Sequence, residues 1–230
     1  MSCGLFITGT GTGVGKTYVG ALVVKALRDG GKRVGVYKPV ASGCEMRDGK
    51  LVSPDAVALW EAAGRPGTLE QVCPQLFAAP LAPHLAAQAE GRRVDPILLR
   101  EGIEFWQATS DVVIVEGAGG LMSPISDDVY NVNLINELKY PLLVVSANEL
   151  GTINHTLLTL IVARSYFDDG LNAAGVVLNS PRPTAGDPSA KSNAYQLALR
   201  CGAPLLTTVT HGGGFERTVD WWMLAKRAGL

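Results

Sequence analysis

A glycine-rich segment near the N-terminus constrains this chain most. It runs from Gly9 to Thr17 as GTGTGVGKT, follows the short apolar run Leu5–Ile7 and leads into a helical pattern. A strand, a glycine-rich turn, a Lys-Thr pair and a helix together wrap backbone N–H groups around a polyphosphate. Lys16 supplies a mobile positive charge, and Thr17 offers a hydroxyl to a magnesium ion. The chain is therefore predicted to bind a nucleoside triphosphate.

The spacing of this loop narrows the prediction. Five residues separate Gly9 from Gly15, whereas the standard phosphate-loop pattern has four at that point. A dinucleotide-binding turn fits less well, because its glycine spacing requires a small residue where Val14 or Lys16 stands. That fold also ends its second strand in an acid, and here the second strand ends in Lys38. A glycine turn that binds nothing is disfavoured by the Lys-Thr pair and the helix after it.

Length and composition set the broad class. The 230 residues fit one large α/β domain, and we expect residues 1–230 to form it. The net charge of −1 gives no basic footprint for nucleic acid, and no apolar run reaches the length of a membrane span. We expect no signal peptide. The scattered cysteines, without a CxxC pair, indicate reduced thiols in a cytoplasmic protein.

Apolar segments alternate with helical patterns along the chain, which predicts a doubly wound, three-layer α/β fold with a parallel sheet of about seven strands. Ligands then bind at the carboxyl ends of the strands. The predicted strands are Leu5–Thr8, Arg33–Lys38, a less certain one near Val72–Phe77, Val112–Glu116, Leu142–Ala147, Ala173–Leu178 and Leu205–Val209. The predicted helices are Lys16–Arg28, Pro54–Ala63, Pro96–Ala108, Ile153–Phe167, Ala190–Arg200 and Thr218–Ala228. Two long polar loops are expected, Ser42–Lys50 and Ser180–Ser189.

Charged residues at two strand ends are candidates for phosphate chemistry. Glu116 ends an apolar strand and precedes four small residues, Gly117–Gly120, which is where a phosphate-loop protein holds magnesium. Lys38 ends the second strand and would face the γ-phosphate side of the loop, where it could hold phosphate oxygens or an anionic intermediate. Ser42 could bind substrate or shape the turn.

Two helix starts carry weaker signals. Ser53-Pro54-Asp55 reads as a helix start, so Asp55 is explained by the helix dipole without any function. Gly151–His155 opens another helix, whose free N–H groups would suit a carboxylate.

Taken together, these segments resemble the dethiobiotin synthetase family, ATP-dependent carboxylases of biotin biosynthesis. The resemblance covers residues 5 to about 180 and is far more specific than the loop alone. The matching segments are Gly9–Thr17, Gly35–Gly43, Pro83-His84, Val115–Gly120 and Leu150–His155.

The resemblance implies a P-loop NTPase-like fold and a homodimer acting on 7,8-diaminononanoate, CO2, ATP and Mg2+. One amine captures CO2 as a carbamate, ATP phosphorylates the carbamate, and the second amine closes a cyclic urea. It implies catalytic roles for Lys16 and Lys38 and a magnesium site at Thr17, Asp55 and Glu116. Further nucleotide contacts would be Gly13, Val14, Gly15, Tyr18, Gly117, Ala118, Gly119 and Asn179, the last facing the adenine. Substrate would contact Thr12, Lys38, Ser42, Gly119 and, from the partner subunit, Thr152, Ile153 and Asn154.

The chain departs from the family pattern in two places. Many members carry an acid where Gly13 stands, and the segment after the last predicted strand lacks the family's Gly-x-Ile-Pro run, which leaves the base preference open. Two other functions also remain open. One is a switch ATPase of the same fold, although such proteins usually carry an extra lysine early in the loop. The other is a paralogue that binds nucleotide without carboxylating.

Overall fold

The computed structural model describes residues 3–227, which form eight strands and ten helices. The strands are β1 Cys3–Gly9, β2 Val34–Tyr37, β3 Glu45–Arg47, β4 Lys50–Val52, β5 Val112–Gly120, β6 Leu142–Ala147, β7 Ala173–Asn179 and β8 Leu205–Val209. The helices are α1 Lys16–Asp29, α2 Pro54–Ala62, α3 Leu69–Val72, α4 Pro83–Ala89, α5 Pro96–Glu101, α6 Glu104–Thr109, α7 Asn131–Leu138, α8 Thr152–Ser165, α9 Ala190–Arg200 and α10 Trp221–Ala225.

Six of these strands form one parallel sheet in the order β2-β5-β1-β6-β7-β8. From β1 the chain crosses to β2 on one side of the sheet. It then places β5 between β2 and β1, and adds β6, β7 and β8 on the other side of β1. Right-handed crossovers therefore put α1 on one face and α6, α7 and α8 on the opposite face. The carboxyl ends of β1, β2 and β5 meet at one edge, where Ile7 of β1 lies opposite Glu116 of β5. That edge is where a doubly wound sheet binds its ligands.

Much of the sheet is buried on both faces, as expected for a parallel sheet covered by two helical layers. Every residue of β2 and of β6 is buried, and so are the first six residues of β5. Phe6, Ile114 and Trp106 are among the largest side chains that are almost fully enclosed. Within residues 3–227, no helix has both the length and the apolar character needed to cross a bilayer.

The doubly wound parallel fold is confirmed, and three details of the predicted element list are corrected. The segment near Val72–Phe77 is not a strand, because it contains the end of α3 and then touches Ala41 through one isolated bridge at Leu76. The described sheet therefore has six strands. The predicted helix Pro96–Ala108 is two helices, α5 and α6, that part at Gly102, where a Cβ would lie 2.5 Å from the Tyr37 hydroxyl. The last helix is shorter than predicted, and residue 228 lies outside the described residues.

The polar segment Ser42–Lys50 contains a hairpin instead of an open loop. Strands β3 and β4 pair through Arg47 and Lys50, with a two-residue turn at Asp48-Gly49. Both turn residues have positive φ, +50° and +77°, which an Asp-Gly turn between strands requires. The hairpin stands directly before α2, whose first turn carries Asp55.

Candidate active site

The glycine-rich loop joins β1 to the first residue of α1. Gly13 and Gly15 have φ of +77° and +88°, a conformation that side chains disfavour. A Cβ on Gly15 would lie 2.1 Å from the amide nitrogen of Asn179, so the loop closes directly onto the end of β7. Lys16 follows as the first helical residue, which leaves the N–H groups of the first turn of α1 without intrahelical acceptors. This loop has the shape of an anion-binding helix start.

Lys16 is the first charged group of the site. Its side chain is largely buried, and its ammonium group lies 3.4 Å from the Gly11 carbonyl oxygen of the same loop. Burial lowers the pKa of Lys16, and the carboxylate of Glu116 partly opposes that shift. An ammonium group with few contacts inside the protein is well placed to gain from an anionic ligand.

Three sequence-distant side chains converge beside this loop. The Lys38 ammonium lies 2.5 Å from Oε1 of Glu116 and 3.0 Å from Oδ2 of Asp55. The Thr17 hydroxyl donates to the same Oε1 of Glu116 over 2.9 Å. Lys38 and Glu116 are buried, while the Asp55 side chain is half exposed at the cavity edge. The end of β2, the middle of β5 and the starts of α1 and α2 together build this cluster.

The charges of the cluster support one another. Burial by itself would lower the pKa of Lys38, but the carboxylates of Glu116 and Asp55 outweigh it and raise that pKa above its ordinary value. Burial would likewise raise the pKa of Asp55, but the charge of Lys38 and hydrogen bonds from Lys38 and Thr17 lower it. Lys38 is therefore a protonated cation at neutral pH, and Asp55 is ionised.

The oxygen atoms around Lys38 are chemically suited to magnesium. Among the described residues, Oε2 of Glu116 is buried without a hydrogen-bond partner, although Oε1 has two. Magnesium prefers oxygen donors and usually takes one or two carboxylates together with phosphate oxygens and water. The set of Thr17, Asp55 and Glu116 fits that preference. The described residues hold no group of three or more His, Cys, Asp and Glu side chains placed to bind a metal.

A cavity of about 640 Å³ opens over the cluster. It continues into an apolar groove where Leu121, Met122 and Leu158 contribute side chains. The cavity combines a cationic end with small residues and a proline-rich rim. The predicted site residues that line it are Thr12, Gly13, Gly15, Lys16, Thr17, Lys38, Ser42, Asp55, Gly117, Ala118 and Gly119, and Pro80–Pro83 forms part of the rim.

Side chains in this wall and behind it hold its backbone in place. The Ser42 hydroxyl donates to the carbonyl of Leu81 over 2.6 Å, which ties the turn after β2 to the proline-rich rim. The Ser123 hydroxyl accepts from the N–H of Gly120, and the Asn131 amide donates to two carbonyls of the same strand end. Sequence reasoning missed Ser123 and Asn131. The spacing from Gly120 to Ser123 is a turn signal, but nothing local to Asn131 shows its partners.

Three predicted nucleotide contacts lie outside the cavity wall. Val14 and Asn179 are buried, and the Asn179 amide donates to the Val14 carbonyl over 2.9 Å. The Tyr18 hydroxyl donates to the carbonyl of Gly213, which links α1 to the loop after β8. Beyond Asn179, a second groove of about 810 Å³ is lined by the segment Thr184–Pro188 and by Ser180, Thr208 and Glu216, among others. The end of the sheet at β7 and β8 is therefore a separate polar groove.

The start of α8 is fixed by a buried hydroxyl cluster. The Thr156 hydroxyl donates to the Thr152 carbonyl, and Ser146 Oγ lies 2.7 Å from both threonine hydroxyls. Because a hydroxyl has one hydrogen, Ser146 must donate to Thr156 and accept from Thr152. The backbone N–H of Thr152 donates to the backbone carbonyl of Glu149. The side chain and N–H of Thr152 are thus engaged within the chain, whereas the N–H groups of Ile153 and Asn154 have no acceptor within the helix.

Fold and site together define a phosphate-loop nucleotide-binding protein with a doubly wound parallel sheet. Solved structures agree on the fold. MinD from Pyrococcus horikoshii OT3, a septum site-determining protein complexed with Mg-ADP, is 18% identical, covering 91% of this chain and 82% of its own with a TM-score of 0.53. A ParA family ATPase from Chlorobium tepidum TLS is 17% identical, covering 91% and 84%, with a TM-score of 0.53.

The chain belongs to the dethiobiotin synthetase family. A family model described as an AAA domain matches residues 3–211. The ATP-dependent dethiobiotin synthetase BioD of Rhodopirellula baltica is 46% identical over 220 residues, covering 91% of this chain and 84% of its own. The enzyme of the same name from Anoxybacillus flavithermus is 35% identical over 225 residues, covering 95% and 99%. The family predicted from the sequence is confirmed.

Proposed function

We propose that this protein is an ATP- and magnesium-dependent dethiobiotin synthase, which carboxylates 7,8-diaminononanoate with CO2 and closes the product ring. One observation carries the proposal. A buried lysine, Lys38, is fixed between Glu116 and Asp55 next to the phosphate loop, inside a cavity large enough for a small diamine. Residues 1–230 would act as one domain that holds the nucleotide and the diamine side by side.

The first steps create anions that the two lysines would stabilise. The nitrogen of one amine bonds to the carbon of CO2 and loses a proton, which gives a carbamate. A carbamate oxygen then attacks the γ-phosphorus, and the bond to the β-phosphate oxygen breaks to release ADP. Lys16 and Lys38 would offset the negative charge that spreads over the transferring group. Their part is electrostatic, and no covalent nucleophile of the protein is needed.

Ring closure uses the second amine. Its nitrogen attacks the carbonyl carbon of the carbamic-phosphoric anhydride, the carbon–oxygen bond to phosphate breaks, and the nitrogen loses a proton. The backbone of Gly117–Gly119 and the side chains of Thr12 and Ser42 would hold the two amines on the same side of the cavity. Holding both reacting groups in place makes this step unimolecular, which accelerates it strongly.

Magnesium would be held by Thr17, Asp55 and Glu116, and when bound it would neutralise charge on the β- and γ-phosphates. The orphaned buried Oε2 of Glu116 supports this assignment. Asn179, Val14 and Tyr18 would shape the nucleotide site from beneath the loop and from α1. The polar groove beyond β7 would receive the base.

A second copy of the chain would complete the site. Leu150, just before α8, and Leu158 and Ile161, farther along that helix, are 83%, 54% and 59% exposed, which is typical of a surface that a partner covers. In a homodimer, the helix start at Thr152, Ile153 and Asn154 would face the partner's cavity and bind the substrate carboxylate, with Thr152 orienting the turn from inside. The free thiols of Cys3, Cys44, Cys73 and Cys201 fit a reducing compartment such as the cytoplasm.

The decisive experiment measures phosphate release by the purified protein with ATP, magnesium and bicarbonate, with and without 7,8-diaminononanoate. We expect phosphate release to require the diamine, and mass spectrometry to find a cyclic urea in equal amount. Hydrolysis at the same rate without the diamine would instead favour a switch ATPase. Nucleotide binding without any turnover would favour a paralogue that has lost carboxylation.

A further inference from the structure

Asn131, the first residue of α7, lies behind the wall of the cavity and has no assigned role. Its side chain is 1% exposed and donates one amide hydrogen to the Ala118 carbonyl over 2.7 Å and the other to the Gly120 carbonyl over 2.8 Å. These two carbonyls flank Gly119, which has a φ of +75° and lines the cavity. One side chain thus holds both sides of the left-handed residue in the substrate wall.

The surroundings of Asn131 leave little freedom for another arrangement. A Cβ on Gly117 would lie 2.5 Å from Oδ1 of Asn131, so the amide packs directly against the strand. The backbone N–H of Asn131 donates to the Ser123 carbonyl, and Ser123 in turn accepts from the N–H of Gly120. Because both partners of the amide are carbonyl oxygens, its nitrogen must face them. A side chain without two donors cannot replace it.

We propose that Asn131 is a positioning residue for the substrate, because it sets the direction of the backbone groups that Ala118, Gly119 and Gly120 present to the diamine. This inference rests on the proposed function, since it takes the diamine as the ligand of that wall. It assigns Asn131 no direct contact with either substrate: in the proposed function the backbone of Gly117–Gly119 holds the diamine, whereas the loop from Gly13 to Thr17 would hold the phosphates. Loss of the amide should therefore affect the two substrates unequally.

Asn131→Asp and Asn133→Asp form a matched pair for the test. Both place one new carboxylate in the first turn of α7, at a half-buried position for Asn133 and at a buried one for Asn131. Asn133 uses its side-chain oxygen to accept from the N–H of Tyr130, and an aspartate keeps that acceptor. Asn131 uses its two donors, and an aspartate has neither. The two variants thus differ in the loss of the two hydrogen bonds to carbonyls and in the burial of the new charge, and Asn131→Ala, which adds no charge, separates these two effects.

Steady-state kinetics with varied diamine and varied ATP give the readout. For N131D we expect KM for the diamine to rise and kcat/KM to fall roughly tenfold or more, as the loss of two hydrogen bonds implies, with KM for ATP within about twofold. N133D should behave as wild type. A general loss of folded protein would lower kcat and leave both KM values unchanged, and that result would overturn the proposal.

Two further outcomes complete the test. If N131D does not fold, Asn131→Ala adds no charge and is judged by the same ratio of KM values, and failure of both variants to fold makes Asn131 purely structural and ends the proposal. An equal rise of KM for the diamine in N133D would also end it. The wild-type protein run in parallel separates this question from the proposed function. If the wild type turns over the diamine and N131D has the same kinetic constants, only the role of Asn131 is rejected. If the wild type shows no diamine-dependent turnover, the proposed function is rejected.

Discussion

The carboxyl ends of β1, β2 and β5 and those of β7 and β8 belong to one sheet edge, yet they are built in different ways. At the first, Lys38 and Glu116 are buried and bonded to each other. At the second, Lys191 and Glu216 are exposed along an open groove. A buried charge is stable only when it is paired, so the first region is fixed before any ligand arrives. In the second region, substitutions of the exposed residues should change the stability of the fold only slightly.

This difference matches the demands that the proposed reaction makes on each region. Phosphoryl transfer depends on charges that are already in place when the transition state forms. Holding a base requires a polar, adaptable surface, and small changes there alter affinity by modest factors. The same difference fits the departure expected from the sequence, which lies after β8 and leaves the charged cluster complete. Four predictions, two of them at Lys38, test the contrast.

The largest effect is expected at Lys38. Lys38→Met should lower kcat about a hundredfold or more, because its charge is needed most in the transition state, with nucleotide affinity changed only a few-fold. Turnover and calorimetric titration with ADP measure the two quantities. Lys191→Met, in the groove beyond β7, is the matched control and should retain kcat. Equal losses of kcat in the two variants would contradict the contrast.

The unpaired Glu116 carboxylate left by Lys38→Met should also destabilise the fold, by about 3–5 kcal/mol for a broken buried pair. The double variant Lys38→Met with Glu116→Gln should recover much of that stability without recovering turnover. Recovery of turnover in the double variant would show that neither charge takes part in the chemistry.

A smaller effect is expected at Asp55, where the pKa is lowered by Lys38 and Thr17 against the effect of burial. A lowered pKa stabilises the fold above the unfolded value of about 3.9, and this contribution is lost as pH falls through the folded value. Asp55→Asn should therefore lower the free energy of unfolding by up to about 1 kcal/mol at pH 7, as for partly exposed pairs.

Urea unfolding at a series of pH values measures the difference between Asp55→Asn and wild type, which should shrink as pH falls below about 4. Asp48→Asn, in the exposed hairpin turn with φ of +50°, is the control because asparagine accepts the same backbone conformation. A difference for Asp55→Asn that stayed constant with pH would mean that the ion pair with Lys38 adds no stability.

The smallest effect is expected in the groove beyond β7. Thr208→Val removes a hydroxyl that donates to the Glu216 carboxylate on the wall of that groove. We expect KM for ATP to change by no more than about threefold, with kcat unaltered, because the loss of one hydroxyl from an open, half-buried groove wall removes at most one weak contact. Initial rates at varied ATP give both values. A tenfold loss of kcat would show that the base side also controls the chemistry.

Features that depend on neighbours in sequence were predictable. The phosphate loop, the six strands of the sheet and the ends of β2 and β5 follow from glycine placement and from apolar runs bounded by turns. The same dependence on local sequence explains two predictions that were wrong, the strand near Val72–Phe77 and the loop Ser42–Lys50. The run Val72–Phe77 is apolar enough for a strand, but α3 takes up its first residue and Leu76 forms only an isolated bridge with Ala41. An Asp-Gly pair between short strands is itself a hairpin signal, although the polarity of Ser42–Lys50 predicted a loop there.

Residue contacts that join distant parts of the chain were decided by the tertiary structure. From its local sequence Asp55 was a helix-start acid, and it became part of a charged site because α2 places it 3.0 Å from Lys38. Thr152 stood at an exposed-looking helix start, yet Ser146 of β6 turns its hydroxyl inward. Asn131 carried no local signal at all. The sequence by itself determined which strands and loops exist, since those depend on periodicity. The sheet order decided which side chains meet, because parallel strands bring together ends that lie dozens of residues apart.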